Sequence, residues 1–520
     1  MKKVILFFFF CFLFAGLVAQ TTKKISYKAE YLDYDEEILP DAQRLKGNVV
    51  FYHENTIGYC DSAYLYEAEN YLIAFGKPVR IYVGDSVTLY GNKVYYQGNT
   101  RLASIAQDVL LTHGNSILYT DSLIYDLHNN VGYYVTGGKM INVEDTLTSR
   151  KGKYYTKQDE IYLNEDVLLV NSSYTMDCSS LLYNTLSERV YFTSRTHMIS
   201  DENEIFTTSG WYDTKNDVAT LVEDVELYNK TQQMFADSAY YDKIARSGNA
   251  WNNVEIIDEE KGYVVNGNYV EYHETGGYST ITDSALLILI DNRDSLYMHA
   301  DTLKILFDSL QEPQLMKAYN HVKFYRQDMQ GVCDSLSYIM TDSLLQMYYN
   351  PVVWSGENQL SADTIRFTIL DSVNMMVELC RAGFIVSSLY EETEFNQIKG
   401  ANITGYIKNK ELYLVDVVNN AECLYYIQEQ DSSLIGINSS ATSEMRILLK
   451  DNEISSIIFY NNPDGYIYPD QNLPTEDRQL KDFRWLIEYR PKEIKDIYVM
   501  PIPRIKYEEQ DAEKFLDTDQ

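Results

Sequence analysis

A short phrase recurs along this chain at intervals of about 30 residues, and it constrains the fold more than any other feature. The phrase is Asn, Asp, His or Pro, then a valine, then a variable residue and a large apolar residue. The valines of the eight clearest copies occupy positions 49, 79, 109, 167, 225, 254, 322 and 352, with degraded copies around Met140, Met198 and Leu286. Self-similarity at a fixed period indicates a stacked array in which each repeat packs on its neighbours.

The columns of the repeat indicate which side chains face inwards. The position after the valine is charged in four of the eight copies, whereas the position two after the valine is never polar. Side chains alternate across a strand, so the valine and the residue two positions later share one face. Stacking aligns these columns into a continuous apolar stripe. Its predicted members are Val49, Phe51, Val79, Ile81, Val109, Leu111, Val167, Leu169, Val225, Leu227, Val254, Ile256, Val322, Phe324, Val352 and Trp354.

A second segment in many repeats begins with Asp-Ser or Asp-Thr, as at Asp61, Asp121 and Asp237. Short polar side chains bond the backbone at turns and where strands begin, so we predict a structural position there rather than a catalytic or calcium site. Polar clusters at 128–130 and 157–160 predict turns. Many short strands at regular spacing, with no helices between them, predict an all-β stack.

The charge of the chain limits its partners. The formal net charge is −32 at pH 7, which excludes nucleic acid as a partner because phosphate binding needs Lys and Arg. The same charge argues against docking on an anionic lipid surface through a basic patch.

The first residues have the pattern of a secretory signal peptide. Lys2 and Lys3 are followed by an apolar run from Val4 to Val18, with a plausible cleavage point at Ala19. Such a run is too short to span a bilayer comfortably. We therefore expect an exported protein.

The sequence carries no recognisable catalytic or metal-binding motif. It has no HExxH, no GxSxG and no phosphate-binding GxxxxGK[ST], and its cysteines form no CxxC pair. We therefore predict no catalytic residue, no metal and no cofactor. A β-helix enzyme acting on polysaccharides and a structural or adhesive surface protein are the alternatives, because both also stack repeats.

The segment GNVVFYHENTIGYCDSAYLYEAENYLIAFG, at 47–76 and downstream of the signal peptide, resembles the OstA-like family. These are periplasmic lipopolysaccharide-transport proteins of the LptA type, related to the N-terminal part of LptD. The resemblance recurs from about 28 to 370 and more loosely to about 440. It implies an elongated, twisted β-jelly roll with an open apolar groove that carries acyl chains across the periplasm.

The same resemblance implies partners and a location. The partners would be lipopolysaccharide and other transport components at the inner and outer membranes, joined by end-to-end pairing of sheets. The location would be the periplasm, or the periplasmic side of the outer membrane, and the role would not be enzymatic.

The domain organisation follows from the extent of the repeat. We predict a signal peptide at 1–19, a first jelly-roll part at 20–260, a second at 261–440, and a C-terminal cap with an acidic tail at 441–520.

The predicted cap has its own pattern. A short helix is expected from Thr475, with Thr475 as its N-cap. Leu480, Phe483, Trp485 and Leu486 are expected to cover an exposed end of the stack. A docking site for a partner protein is the alternative reading of this segment.

Overall fold

The computed structural model of this chain describes residues 23–502, except 35, 36, 38, 39, 292, 293, 391, 410, 430–433, 451, 452, 470–472 and 500. The predicted signal peptide and the acidic tail lie outside the described residues. The chain divides into two compact units, residues 1–200 (unit 1) and 201–520 (unit 2). Over the described part of the chain, no helix has the length and apolar character needed to cross a membrane.

The described residues are almost entirely β-strand. Unit 1 contains β1 Ser26–Lys28, β2 Tyr31–Tyr34, β3 Gln43–His53, β4 Thr56–Tyr66, β5 Tyr71–Val83, β6 Val87–Gln97, β7 Leu102–His113, β8 Ser116–Asp126, β9 Val131–Tyr134, β10 Gly138–Asn142, β11 Asp145–Ser149, β12 Lys151–Tyr155, β13 Glu160–Val170, β14 Tyr174–Asn184, β15 Arg189–Phe192 and β16 Thr196–Ser200.

Unit 2 begins with β17 Glu204–Thr207, β18 Ser209–Asp213, β19 Val218–Tyr228, β20 Gln232–Asp242, β21 Ser247–Asp258, β22 Tyr263–His273, β23 Tyr278–Leu289, β24 Leu296–Phe307, β25 Pro313–Tyr319, β26 Val322–Arg326, β27 Met329–Cys333 and β28 Ser335–Ile339. It continues with β29 Leu344–Tyr348, β30 Val352–Ser355, β31 Asn358–Ser361, β32 Thr364–Ile369, β33 Asn374–Leu389, β34 Glu394–Lys408, β35 Glu411–Gln428, β36 Leu434–Lys450, β37 Glu453–Tyr460 and β38 Asp464–Tyr468. Two 3-10 turns, Thr475–Arg478 and Ile487–Tyr489, and the short helix α1, Asp496–Val499, follow.

A bend divides the long strands near their midpoints. In β7 the bend is formed by Gln107 and Asp108, whose φ angles are 68° and 54°, and the pairing with β8 skips from Ala106 to Val109. Positive φ is tolerated best by Gly, Asn and Asp, which explains why these residues precede the repeat's valine. The repeated phrase therefore marks a bend inside a strand of about 11 residues. It does not begin a short strand, as the sequence had suggested.

The recurrent Asp lies opposite such a bend rather than in a turn. Asp121 falls where β8 passes the Gln107–Asp108 bend. Asp237 of β20 accepts hydrogen bonds from the side-chain amide of Asn253, a bend residue of β21, at 3.1 Å. The prediction of a turn or strand start at this motif was wrong, and the Asp carboxylate instead ties neighbouring strands together at the bend. The turns predicted near 128–130 and 157–160 are confirmed, at 127–130 and 156–159.

Each bent strand contributes one half to each of two layers. The first layer contains strand halves such as Leu102–Ala106, and the second contains halves such as Val109–His113. The layers join along the bends, and their hairpin turns lie at the opposite edge, which we call the mouth. All strand pairings given for the two units are antiparallel. The all-β prediction is confirmed, whereas the parallel coils of a β-helix enzyme do not fit this topology.

The strands of unit 2 extend to β38, so much of the predicted C-terminal cap is sheet. Most of the described residues after β38 lie at 473–499 and form a segment with little regular structure, which we call the strap. Its first 3-10 turn begins at Thr475, after Pro474, and has no side-chain cap. Thr475 is thus the first residue of a single turn and not the N-cap of a helix.

Candidate functional site

The interior of unit 1 is a filled core. The eight predicted stripe residues of this unit are brought together on the inner face of the second layer, and each is at most 2% exposed. These residues are Val49, Phe51, Val79, Ile81, Val109, Leu111, Val167 and Leu169. Among the described residues of unit 1, the predicted stripe is therefore buried and does not line an open groove.

The packing inside unit 1 is tight. The ring of Phe51 lies directly over Gly58 on the neighbouring strand, and a Cβ added to Gly58 would sit 2.0 Å from the Phe51 ring. The same ring packs against Tyr96 of the first layer, with ring centroids 6.0 Å apart. Side chains from both layers thus contact each other at this point of the described interior.

A row of tyrosines closes the mouth of unit 1. Tyr96, Tyr125, Tyr154 and Tyr183 recur every 29 residues in the first layer, and each is at most 1% exposed. The spacing equals one repeat, so successive tyrosines occupy equivalent positions in the stack.

Three of these tyrosines hydrogen-bond to the second layer. The hydroxyl of Tyr96 lies 2.5 Å from Nδ1 of His53, and that of Tyr154 lies 3.0 Å from Nδ1 of His113. The Tyr183 hydroxyl donates to the carboxylate of Asp145 at 2.8 Å. These contacts join the layers on the side away from the bends, so they seal the interior along the mouth.

Burial raises the pKa of these hydroxyls. It raises the pKa of Tyr125 to about 12, and it does the same for Tyr134, whose hydroxyl bonds Ser149 at 2.7 Å. For Tyr183, burial and the neighbouring Asp145 carboxylate both raise the pKa further. We call this row of tyrosines and its hydrogen-bond partners along the mouth the seam. Its tyrosine hydroxyls are therefore neutral throughout the physiological pH range.

The interior of unit 2 is different, because its mouth-side apolar residues reach solvent. Val225 and Val254, next to the bends, are 1% exposed, but Leu227 and Ile256, two positions nearer the mouth, are partly exposed. Met234, which pairs with both Leu227 and Ile256, is also partly exposed. These three side chains form a partly exposed apolar strip on the inner face; we call the space between the layers that it borders the trough, and the strip one of its walls.

Small side chains form the floor of this trough. In each of β20, β21, β23 and β24 at least one inner position beside the bend is an alanine, and each of these alanines is at most 7% exposed. They are Ala236, Ala239, Ala250, Ala285 and Ala300. An alanine fills far less of the space between the layers than a leucine or a tyrosine, and unit 1 has the same small residues at the equivalent positions Ala63 and Ala74.

The opposite wall includes Tyr241, which lies two 29-residue steps after Tyr183; Tyr212, one step after Tyr183, is 7% exposed. Tyr241 is 40% exposed, in contrast to the buried tyrosines of unit 1. Burial of its inner side and Glu274 raise its pKa. At Tyr241, the repeat position that is buried in unit 1 is therefore exposed.

The rim of the trough is polar. Gln232 donates to Asp258 and to the Tyr263 hydroxyl, both at 3.2 Å, and burial raises the pKa of Tyr263 to about 12. Lys261 and Glu312, in hairpin turns of the two layers, form an ion pair across the mouth at 2.6 Å. An apolar floor with a polar rim suits an amphiphile whose head remains in water.

The last four predicted stripe residues fall into two groups. Val322 and Phe324 lie on the inner face, 0% and 4% exposed, with Phe324 over Gly331. Val352 and Trp354 lie on the outer face, because Trp354 pairs with Gln330 whereas Phe324 pairs with Gly331. Val322 and Phe324 therefore face inwards as predicted, whereas the prediction that Val352 and Trp354 face inwards was wrong.

One extra residue between the bend and Val352 explains why Val352 and Trp354 face outwards. The bend before β30 consists of Tyr349 and Asn350, and Pro351 then occupies the place that the valine takes in other copies. A shift of one residue reverses the face of every side chain that follows. The inner face of this region is instead carried by Val353, Leu360, Ile385 and Ile398, which pair in one row.

Apolar side chains of the inner face are also partly exposed in this row, and we treat it as a second stretch of the trough. Leu360, Ile385 and Ile398 are partly exposed, whereas Val353 is 1% exposed. Unit 2 therefore has two open apolar stretches, one on β19–β21 and one on β31–β34. No group of three or more metal-ligating side chains occurs among the described residues. Partly exposed apolar side chains of this kind can bury an apolar chain against them.

Sequence reasoning missed the alanine floor, because the repeat was aligned on its large apolar residues. The signal was nonetheless present: Ala236, Ala250, Ala285 and Ala300 occur within a window of about 65 residues, next to bends.

Comparisons with known proteins match the first part of the chain. Residues 21–180 match the family described as OstA-like protein. No curated protein matches the chain. One similar solved structure is LptH from Pseudomonas aeruginosa, the LptA homologous periplasmic component of the conserved lipopolysaccharide transport device. It is 14% identical, with a TM-score of 0.20, over 21% of this chain and 80% of that chain.

Proposed function

We propose, from the OstA-like domain at residues 21–180 and the open trough of unit 2, that this chain is an exported, non-enzymatic carrier. It shields the acyl chains of lipopolysaccharide in the periplasm on their way to the outer membrane. Other components of lipopolysaccharide transport, met by end-to-end pairing of sheets, are its proposed partners. The observation that carries the proposal is the trough wall of Leu227, Met234 and Ile256, whose apolar side chains reach solvent.

The energetics favour such a ligand. Burying one methylene contributes ~0.8 kcal/mol. A few methylenes of an acyl chain against Leu227, Met234 and Ile256 would therefore offset a good part of the cost of ordering the chain. Binding of this kind needs no catalytic group, and it allows movement along the trough because neighbouring positions are chemically alike.

Unit 1 has a different part in this proposal. Its core is filled, so the residues Phe51, Leu111 and Leu169 stabilise the array and do not contact the lipid. The carrier function resides in unit 2, although the family match lies in the other unit.

Photocrosslinking in the producing cells tests the proposal. A photoreactive residue replaces Leu227 or Ile256 on the trough wall, Leu169 in the filled core, or Glu226 on the outer face. Crosslinks to lipopolysaccharide are expected at 227 and 256 alone. Normal export without any lipid crosslink at 227 and 256 would overturn the carrier function, and crosslinks at 169 would contradict the closed interior of unit 1.

A further inference from the structure

The outer face of the second layer in the C-terminal part of unit 2 is apolar and is covered by the strap. Val332, Val352 and Trp354 form one buried cluster there, at most 1% exposed, against which Leu486 and Ile487 pack. A second cluster consists of Leu424, Tyr426, Ile437 and the strap residue Leu473, and Leu480 packs against it. The predicted covering residues of the C-terminal segment do cover a surface, but that surface is a sheet face.

Aromatic contacts fill the space between these clusters. Phe483 packs on Phe395 with ring centroids 5.2 Å apart, and Trp485 packs on the same ring at 5.2 Å. Lys399 donates to the Lys481 carbonyl at 3.0 Å and pairs with Asp482 at 3.1 Å. The strap thus lies along the face across several successive strands.

A row of buried glutamines holds the strap. Gln330, Gln359 and Gln397 lie on the outer face of β27, β31 and β34, at 3%, 0% and 0% exposure. They belong to one cross-strand row, because Gln330 pairs with Trp354, Trp354 with Gln359, Gln359 with Val386 and Val386 with Gln397.

Two of these glutamines bind the strap's backbone in the same way. Gln359 donates to the Arg484 carbonyl at 2.8 Å and accepts from the Leu486 N–H at 2.7 Å. Gln397 donates to the Arg478 carbonyl at 2.8 Å and accepts from the Leu480 N–H at 2.8 Å. Each amide therefore satisfies a carbonyl and an N–H two residues apart.

The third glutamine binds a strap side chain. The side-chain oxygen of Gln330 accepts from Nε of Arg490 at 2.7 Å. Arg490 also donates to the Gly356 carbonyl at 2.8 Å. This pattern resembles peptide recognition, in which main-chain hydrogen bonds give affinity and apolar pockets give specificity.

The opposite face of the same strands is the open trough of Leu360, Ile385 and Ile398. A sheet normally buries at least one apolar face against a second layer. In unit 1 the two layers supply this packing to each other. Here the inner face is partly open, and the strap supplies the packing on the outer face.

We propose that the row of Gln330, Gln359 and Gln397 is a recognition surface for an extended polypeptide segment, and that the strap is its exchangeable occupant. The strap adds no strand to the sheet, so it can leave as a unit without breaking any strand pairing. Docking of the strap keeps the β31–β34 stretch of the trough open to ligand; this last part rests on the proposed function.

Trypsin cleavage of the full chain tests the docking. The carbonyls that Gln359 and Gln397 bind belong to Arg484 and Arg478, so two of the bonds that trypsin can cut in the strap are held directly. Gln359→Leu is expected to speed cleavage after Arg484 about tenfold, because two hydrogen bonds to the strap backbone are lost. Gln359→Glu keeps the acceptor for the Leu486 N–H but loses the donor to the Arg484 carbonyl. Its cleavage rate after Arg484 is therefore expected to lie between those of the native chain and Gln359→Leu.

Two controls separate docking from general loss of stability. Gln428→Leu removes an exposed glutamine that bonds Tyr390 rather than the strap, so cleavage after Arg484 should not change. Cleavage after Arg246, in an exposed turn of the same unit, should stay constant in all variants. Equal acceleration at Arg246 and Arg484 in Gln359→Leu would overturn the recognition role.

Exchange is tested by cutting the folded full chain at a protease site inserted after Pro469. The cut strap is expected to stay bound through gel filtration and to be replaced by excess labelled synthetic peptide of residues 473–499. A strap that excess peptide never replaces would overturn exchangeability. So would a labelled peptide that replaces it equally well when Gln359 and Gln397 are leucine.

The link to the trough is tested with photoactivatable palmitate and mass spectrometry. In the native chain, labels are expected on β19–β21 and on β31–β34, and in Gln359→Leu only on β19–β21. Unchanged labelling of β31–β34 in that variant would overturn the link. Absence of label on both stretches of the native chain would overturn the proposed function, and the trypsin result would still decide the docking.

Discussion

Leu169 and Leu227 occupy the same column of the repeat, two positions after a valine, yet the structure gives them different surroundings. Leu169 is 0% exposed in the filled core of unit 1, and Leu227 is partly exposed on the trough wall of unit 2. Substituting each by alanine removes the same atoms, so a difference in effect reports the surroundings alone.

The expected magnitudes follow from burial. Leu169→Ala leaves a cavity in a packed interior, which costs ~2–5 kcal/mol of stability. Leu227→Ala loses only part of the ~1.5–3 kcal/mol that full burial of a leucine contributes, because the side chain already reaches water and solvent fills the gap. We expect a loss of about 1 kcal/mol or less there.

Native-state hydrogen exchange measures both effects in the full chain. The free energy of opening is followed for β13 in Leu169→Ala and for β19 in Leu227→Ala, because two units need not unfold in one step. Leu168→Ala, on the outer face and 38% exposed, is the matched control for β13. Equal losses for Leu169→Ala and Leu227→Ala would refute the distinction between filled and open interiors.

Three further predictions concern the seam and the bends. Tyr183→Phe removes a hydrogen bond to a carboxylate and should cost ~1.5–3 kcal/mol of stability in the same exchange measurement. Tyr125→Phe removes a hydrogen bond to the neutral Thr156 and should cost ~0.5–1.5 kcal/mol. A larger loss of stability for Tyr125→Phe than for Tyr183→Phe would contradict this reasoning. Because burial raises the pKa of Tyr125 and of Tyr134 from 10.0 to about 12, their contribution to stability is fully present below pH 10 and is lost as the pH rises towards 12, which alkaline unfolding followed by tyrosinate absorbance can check. Asp166 has a φ of 53° at the bend of β13, so Asp166→Val should cost ~1–2 kcal/mol in urea unfolding while Asp166→Gly is tolerated, and equal stability of the two variants would argue against backbone strain.

The sequence by itself determined the features that depend on neighbours along the chain. The all-β class, the period of about 30 residues and the alternation of faces follow from local side-chain preferences and strand periodicity, and the match to the OstA-like family confirms the resemblance over residues 21–180. The apolar character of Leu480, Phe483 and Leu486 also predicted that the C-terminal segment covers a surface.

Two local sequence patterns are each compatible with two different structures, and the prediction chose the wrong one. The Asn or Asp before most of the repeat valines suits a turn, but it also suits a left-handed bend inside a strand, as at Asp108 and Asn253. Likewise Val352 and Trp354 fit the repeat, and only the insertion at Pro351 places them on the opposite face.

Only the tertiary structure decided which interior is filled. Leu169 lies in DVLLV and Leu227 in DVELY, and nothing in these phrases tells a packed core from an open wall. The answer depends on how the facing layer meets these side chains: unit 1 presents buried tyrosines such as Tyr154 and Tyr183, whereas Tyr241 of unit 2 is 40% exposed. The space left between two layers depends on the volumes of side chains that are distant in sequence. That space is therefore defined only once the fold has brought these side chains together.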